Sequence, residues 1–189
     1  MAKKFTDISK TGGDYGRGDC QYGWHSFVGN LYKNKRILDV GAGLGLSKSR
    51  LGVNGNSVTL QDPAPSLPID ISSPVEDIMD GSFDVVTAFD VVEHVILAED
   101  FLANLVRIAR EEVVVTTPNY NISKNGNPCH VREYTPEQLV DFVKDYNVKF
   151  FLVGNGSGDN AKIIKDKEEF LKHGYEHHGF VLTCSHLNP

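Results

Sequence analysis

The sequence predicts an α/β fold: one domain with a mostly parallel twisted sheet, a shortened second crossover and an antiparallel C-terminal edge. Three observations carry this. Residues Arg36 to Gly45 read RILDVGAGLG, an apolar run that breaks into glycines at alternate positions. Residues Val58 to Asp62 read VTLQD, a second run that ends in a carboxylate. Residues Phe83 to Phe89 read FDVVTAF, a third run introduced by the turn signal Asp80-Gly81-Ser82. Short apolar runs bounded by turn residues are buried strands, and strands that alternate with helical patterns build a parallel sheet.

The elements follow in order. Residues 1–30 are read as an N-terminal segment or lid, because Met1 to Gly18 is polar and glycine-rich. Trp24 to Tyr32 is patterned as a short amphipathic helix leading into the strand of Ile37, Leu38 and Val40. Ser47 to Leu51 starts a short helix, and Val58 to Gln61 is a strand. The segment PAPSLP that follows carries three prolines and is no ordinary helix. A parallel crossover normally takes a dozen or more residues, and Asp62 to Ile69 offers fewer. The helix between the second and third strands is therefore expected to be missing, with Ile69 to Ile71 a brief strand. Val91 to Ala109 is predicted helical, and Val113 to Thr117 is a β-branched strand. Asn119 to Cys129 is a polar loop. Thr135 caps a helix with Pro136 in its first turn and Leu139, Phe142 and Val143 on its buried face. Val148 to Val153 and Phe180 to Thr183 form a reversed pair at the sheet edge.

Composition bounds the function. The 189 residues suit one domain with a sizeable core, and 40% hydrophobic with 23% charged residues is ordinary for a globular protein. A net charge of −6 gives no general pull toward nucleic acid, although a local basic patch stays open. Cys20, Cys129 and Cys184 are scattered, which argues against a zinc ribbon or disulfide framework and suits a reducing cytoplasm. The first ten residues lack the apolar core of a signal peptide, and no run approaches membrane-spanning length.

Gly41, Gly43 and Gly45 carry no Cβ atoms, so the backbone there can turn tightly and set its N–H groups against a ligand. A dinucleotide fingerprint wants its third glycine where Leu46 stands, which counts against a nicotinamide-dependent reductase. The acid Asp62, at the end of the second strand, is placed to accept both hydrogens of a ribose diol. Together with FDVVTAFDVVEH at Phe83 to His94, these blocks resemble the class I S-adenosylmethionine-dependent methyltransferases, with their Rossmann-like fold. The likeness is strongest to the branch of the ubiquinone-pathway O-methyltransferases, and it runs from about Arg36 to Leu139.

The resemblance implies a methyltransferase domain over residues 31–189 and S-adenosylmethionine as its cofactor. Gly41, Ala42 and Gly43 would contact the amino-acid end of that cofactor. Asp39 would orient the turn or bind the ammonium, and Asp62 would take the ribose hydroxyls. Asp70 and Ile71 would contact the adenine, and Phe89 would border the cofactor.

Asp90, Glu93 and His94 are spaced to share one helical face, and two carboxylates with an imidazole can bind a divalent cation. Some ubiquinone-pathway enzymes carry an acid-x-x-Glu-His metal site here. HVREYT at His130 to Thr135 resembles the His-x-x-Glu-aromatic-Thr block of the small-RNA ribose O-methyltransferases. There the histidine completes a two-acid, two-histidine site, so Asp90, Glu93, His94 and His130 are candidate ligands for magnesium or manganese. Without metal, His94 or His130 is a candidate general base. The plainer reading makes Glu93 a helix-terminus residue and His94 a hydrogen-bonded wall residue.

Other residues are read as structural. Arg132 is expected to pair with Glu133 or to bind an anionic substrate group. Tyr15, Trp24 and His25 are expected to anchor the N-terminal segment or to close over the pocket. His173, His177 and His178 are read as exposed surface. Thr117-Pro118-Asn119-Tyr120 resembles the Asn-Pro-Pro-Tyr motif of DNA amino-methyltransferases, but it follows the fifth strand, not the fourth. The function expected is methyl transfer to oxygen on a small molecule or sugar in the cytoplasm, with no membrane partner. The alternatives are metal-assisted O-methylation of an RNA end and a non-catalytic cofactor-binding scaffold.

Overall fold

A computed structural model describes residues 18–64, 69–153 and 161–184. The segment 1–17, with Tyr15 and most of the expected lid, lies outside them.

The described chain starts with α1 (Gly18–Leu31) and β1 (Arg36–Val40), followed by α2 (Lys48–Leu51) and β2 (Ser57–Gln61). Next come β3 (Phe83–Phe89), α3 (Ala98–Ile108) and β4 (Ala109–Pro118). The remainder is α4 (Tyr120–Ser123), α5 (Pro136–Phe142), β5 (Asn147–Val153), β6 (Lys162–Ile164), α6 (Lys167–Leu171) and β7 (His177–Thr183). The strands form one seven-stranded sheet in the order β2-β1-β3-β4-β7-β5-β6. β1 to β4 run parallel, and β7 is antiparallel to both β4 and β5.

The strand alternation divides the core into two layers. Leu38, Val86, Ala88, Val113, Val115, Phe180 and Leu182 face α3 and α5, where they meet Leu102, Leu105 and Leu139. Ile37, Val85, Phe89, Val114 and Val181 face α1 and its buried Trp24 and Val28. Both faces of the sheet are covered, which is why these strands read as nearly continuous apolar runs. From β1 the chain passes to β2 on one side and to β3 on the other. The crevice outside the carboxyl ends of β1 and β3 is thus a topological switch point, the usual ligand position in open α/β sheets.

Most elements fall where the sequence puts them. The Thr135 hydroxyl accepts the Gln138 N–H while Gln138 reaches back to the Thr135 N–H, a complete capping box with Pro136 in the first turn. The second crossover is short: in place of a third parallel strand, Ile71 makes a single parallel bridge to Gln61.

Four expectations are corrected. Helix does not run from Val91 to Ala109, because Asp90 takes a left-handed φ of 53° and only a 3₁₀ turn, Val92–His94, precedes α3. The C-terminal edge is antiparallel with β5 and β7 a reversed pair, as expected, but the unexpected β6 forms the outermost strand and leaves that pair interior. The Asn119 to Cys129 loop contains α4, whose first turn is capped by the Asn119 side chain. His177 and His178 lie in β7 instead of on exposed surface, and His178 is wholly buried. The Nε2 of His173 lies 3.2 Å from the Nδ1 of His178. No helix among the described residues is long and apolar enough to cross a membrane.

Candidate active site

The turn after β1 is built on positive φ angles at Gly41 (69°), Gly43 (52°) and Gly45 (73°). The three glycines differ in why they are needed. A Cβ on Gly41 would lie 2.6 Å from Val91, and one on Gly45 would lie 2.7 Å from Leu60. A Cβ on Gly43 would meet nothing within 4 Å. The open space of the turn is therefore at Gly43, where backbone faces a cradle that any side chain would begin to fill. Gly43 is tied to β2, since its N–H donates to Oδ2 of Asp62 at 3.0 Å, and Ala42 N–H donates to the Gln61 carbonyl. Asp62 Oδ1 accepts from Ala64 N–H at 2.9 Å.

Asp39 lies under this turn and does not line its open side. Its buried carboxylate accepts from the Ser47 hydroxyl at 2.5 Å and from the Thr87 hydroxyl at 2.6 Å, which locks β1 to β3 and to the start of α2. Burial raises its pKa to about 6 against the opposing effect of those two hydroxyls. Of its two expected roles, this arrangement performs the first, orienting the turn. Asp70 is half-exposed and accepts from Lys48 Nζ at 2.8 Å and from Leu60 N–H at 2.9 Å; the Lys48 bond leads in holding its pKa down. Ile71 is next to it at the bridge. Phe89 closes the other side, buried with its ring edge-on to His25 at 4.7 Å. An open cradle rimmed by the Asp62 carboxylate, each of whose oxygens takes one backbone N–H, fits an adenosyl cofactor bound by its ribose and amino-acid ends.

The second half of the site is an acid–imidazole cluster. Glu93, His94 and His130 each offer a donor atom, and the three atoms lie within 4.8 Å of one another. Glu93 is fully buried, and among the described residues neither of its carboxylate oxygens makes a hydrogen bond of normal geometry, although the buried Thr117 hydroxyl is near enough to pull its pKa down. Burial first, and the nearby Asp90 charge second, hold its pKa well above the usual carboxylate range. His94 Nδ1 lies 3.0 Å from the Cys129 carbonyl, which can only accept, so Nδ1 carries the proton and Nε2 the lone pair. Burial lowers the His94 pKa and keeps the ring neutral. His130 Nδ1 lies 2.5 Å from Glu133 Oε1, which leaves its Nε2 open as well. The two rings meet edge to face at 4.8 Å. One carboxylate and two imidazole nitrogens, each ring braced from behind, match the donor set of a divalent cation.

Asp90 stands apart from this trio. Its left-handed backbone ends the helical frame assumed for Asp90, Glu93 and His94. Oδ1 accepts from Thr116, while Oδ2 lies 3.5 Å from His177 Nε2. Arg132 and Glu133 do not form the expected ion pair. The Arg132 guanidinium sits 4.8 Å over the Tyr134 ring, and Glu133 binds His130, Ser123 and the Asn125 N–H. Trp24 and His25 are buried packing residues on the α1 face. Sequence reading missed the part played by Glu133, although it sits three residues after His130 within HVREYT; it missed Thr87 too, which no motif marks.

No family model matches the sequence, and no curated protein matches it. Solved structures do. A possible histamine N-methyltransferase of Thermotoga maritima superposes with a TM-score of 0.65 at 14% identity, covering 94% of this chain and 96% of its own. The 1,6-didemethyltoxoflavin N1-methyltransferase of Burkholderia thailandensis, solved with S-adenosylhomocysteine, gives 0.62 at 16% identity over 94% and 84%. The small RNA methyltransferase HEN1 gives 0.64 at 17% identity, covering all of this chain and 27% of its own. The chain has the Rossmann-like fold of the class I S-adenosylmethionine-dependent methyltransferases. At these identities the likeness carries the fold, and the chemistry has to be argued from the site.

Proposed function

We propose that the chain is an S-adenosylmethionine-dependent methyltransferase. It methylates a hydroxyl oxygen on a small molecule or sugar, with magnesium or manganese held by Glu93, His94 and His130. The observation that carries the reading is the Glu93 carboxylate, buried without a normal hydrogen bond beside two imidazoles. A carboxylate buried in this way is costly, and a site that keeps one is explained by a cation it serves.

When bound, S-adenosylmethionine would supply an electrophilic methyl group on a sulfonium. A divalent cation supplies positive charge that makes a hydroxyl easier to deprotonate. The chain positions these parts. Gly43 and Asp62 would hold the donor at the end of β1 and β2, with Asp39 bracing the turn beneath. Glu93 offsets the charge of the cation. His94 and His130 keep an Nε2 lone pair available, as ligands or as acceptors of the hydroxyl proton.

A second reading, ribose O-methylation at an RNA end, is supported by the likeness to HEN1 over the whole chain and by the His130 block. Two experiments test the proposal. S-adenosylhomocysteine at a hundredfold excess over its Kd should stabilise the protein by about 2.7 kcal/mol, and NAD should not. Methyl transfer from labelled donor to sugar and RNA acceptors should stop with a chelator and resume with manganese. Stabilisation by neither ligand would end the cofactor assignment, and chelator-resistant transfer would end the cation assignment. Stabilisation with no transfer to any acceptor would favour a binding scaffold.

A further inference from the structure

The loop between β4 and α5 does more than connect them. It contributes His130, and its Val131 and Arg132 N–H groups both donate to the Glu93 carbonyl, at 2.7 and 3.2 Å. Its Cys129 carbonyl fixes the His94 tautomer. Its most deeply placed charge is Glu133, whose side chain is 1% exposed against 6% for the His130 side chain it holds. Glu133 spends Oε1 on His130 Nδ1, while Oε2 accepts from the Ser123 hydroxyl and the Asn125 N–H. Both oxygens are therefore satisfied by fixed donors on either side of a tight turn, with left-handed φ angles at Lys124 (52°) and Asn125 (55°). The carboxylate is held by the turn, and the imidazole is held by the carboxylate.

We infer that Glu133 is a positioning residue for the acid–imidazole centre. By accepting the Nδ1 proton it fixes the tautomer and ring orientation of His130 and leaves Nε2 as the atom offered to Glu93 and His94. The inference rests on the proposed reading of that trio as a cation centre. A carboxylate behind a ligating histidine orients the ring and raises its basicity, and losing one typically weakens metal binding 10- to 100-fold, roughly. A merely structural Glu133 would tie the turn together and leave the His130 nitrogens indifferent to its charge.

The test is manganese binding by the full chain without cofactor, followed by electron paramagnetic resonance, together with ¹⁵N NMR of the His130 ring. In the wild type the ring should show the Nδ1–H tautomer and manganese should bind. Glu133→Ala should bind manganese about 10- to 100-fold more weakly and shift His130 toward the Nε2–H tautomer. Glu133→Gln keeps an oxygen acceptor without the charge and should fall between the two. It also serves if the alanine variant fails to fold. Ser123→Ala removes a tie of the turn without touching His130 and should bind manganese nearly as the wild type does. Unchanged affinity and tautomer in both Glu133 variants would overturn the inference while leaving the cation centre standing. So would equal losses in Ser123→Ala and Glu133→Ala. A wild type that takes no manganese would remove the centre, and Glu133's role in it.

Discussion

Oδ2 of Asp62 accepts a hydrogen bond from the Gly43 N–H at 3.0 Å, across a separation of nineteen residues. This bond fastens the end of β2 to the open point of the turn after β1. Each carboxylate oxygen has two lone-pair sites, and the structure uses one on each, for Gly43 and for Ala64. Among the described residues one site per oxygen remains, which is what a vicinal diol needs. Asp62→Ala is expected to abolish the shift in melting temperature produced by S-adenosylhomocysteine. Asp62→Asn, which keeps one acceptor, should retain part of it. An unchanged shift in Asp62→Ala would take this residue out of the cofactor site.

The turn glycines make a sharper test, because stability and binding separate there. An L residue in left-handed backbone costs about 1–2 kcal/mol. At Gly41 a methyl group also collides with Val91 at 2.6 Å, so Gly41→Ala should lower the melting temperature and disturb the fold around Asp90. At Gly43 the methyl enters open space. Gly43→Ala should therefore cost only the backbone penalty while weakening S-adenosylhomocysteine by at least tenfold in calorimetry. Tight binding by Gly43→Ala would mean that the cradle lies elsewhere.

How much of this was legible in the sequence follows from range. The β1 turn, the acid after β2 and the capping box at Thr135 are set by residues within a few positions of one another, and all three can be read directly. The strand Phe83 to Phe89 agrees residue for residue, because an apolar run closed by turn signals has one period to satisfy. The segment after it could not be read so: its apolar spacing is helical, but Asp90 adopts a left-handed backbone whose side chain is held by Thr116, a contact across strands. His178 was misread for the same reason. Nothing nearby marks it as buried, and it is covered because β7 inserts between β4 and β5. Likewise, the bond from Glu133 to His130 spans only three positions, yet a loop pattern does not say whether Glu133 turns to Arg132 or to His130.

The buried imidazoles predict a pH dependence. His173 Nδ1 accepts from the Tyr175 N–H, so its Nε2 carries the proton and donates to His178 Nδ1. Both rings are neutral in this chain of bonds. Burial, the leading cause in each, lowers their pKa values to about 4 and about 3. In the unfolded chain both titrate near 6.5, so between about pH 6.5 and 4 the unfolded state binds more protons and stability falls as pH falls. Per proton the slope reaches about 1.4 kcal/mol per pH unit. Asp39, whose pKa is raised to about 6, works in the opposite direction below about pH 6, and Glu93, whose pKa burial raises, opposes from its ordinary carboxylate range upward. The decisive comparison is therefore differential. His173→Gln keeps a donor to His178 but cannot titrate, and between pH 7 and 5 it should lose less stability to urea than the wild type. Parallel losses would show that His173 takes up no proton on unfolding.

Glu93 sets function against stability. Among the described residues its carboxyl group makes no hydrogen bond of normal geometry at either oxygen, and it is shielded from water beside Val92 and under the Val131–Arg132 backbone that binds its own carbonyl. A buried acid without a normal hydrogen bond carries a desolvation cost that an apolar side chain of similar shape does not. Glu93→Met should therefore melt at or above the wild-type temperature when no metal is present. Manganese should raise the melting temperature of the wild type and leave that of Glu93→Met unmoved, so the order of the two proteins reverses as metal is added. A general packing role predicts the contrary pattern, with Glu93→Met less stable under every condition and the response to manganese shared by both. Titrating manganese against the two proteins in parallel melts decides between a carboxylate kept for a cation and one kept for the fold.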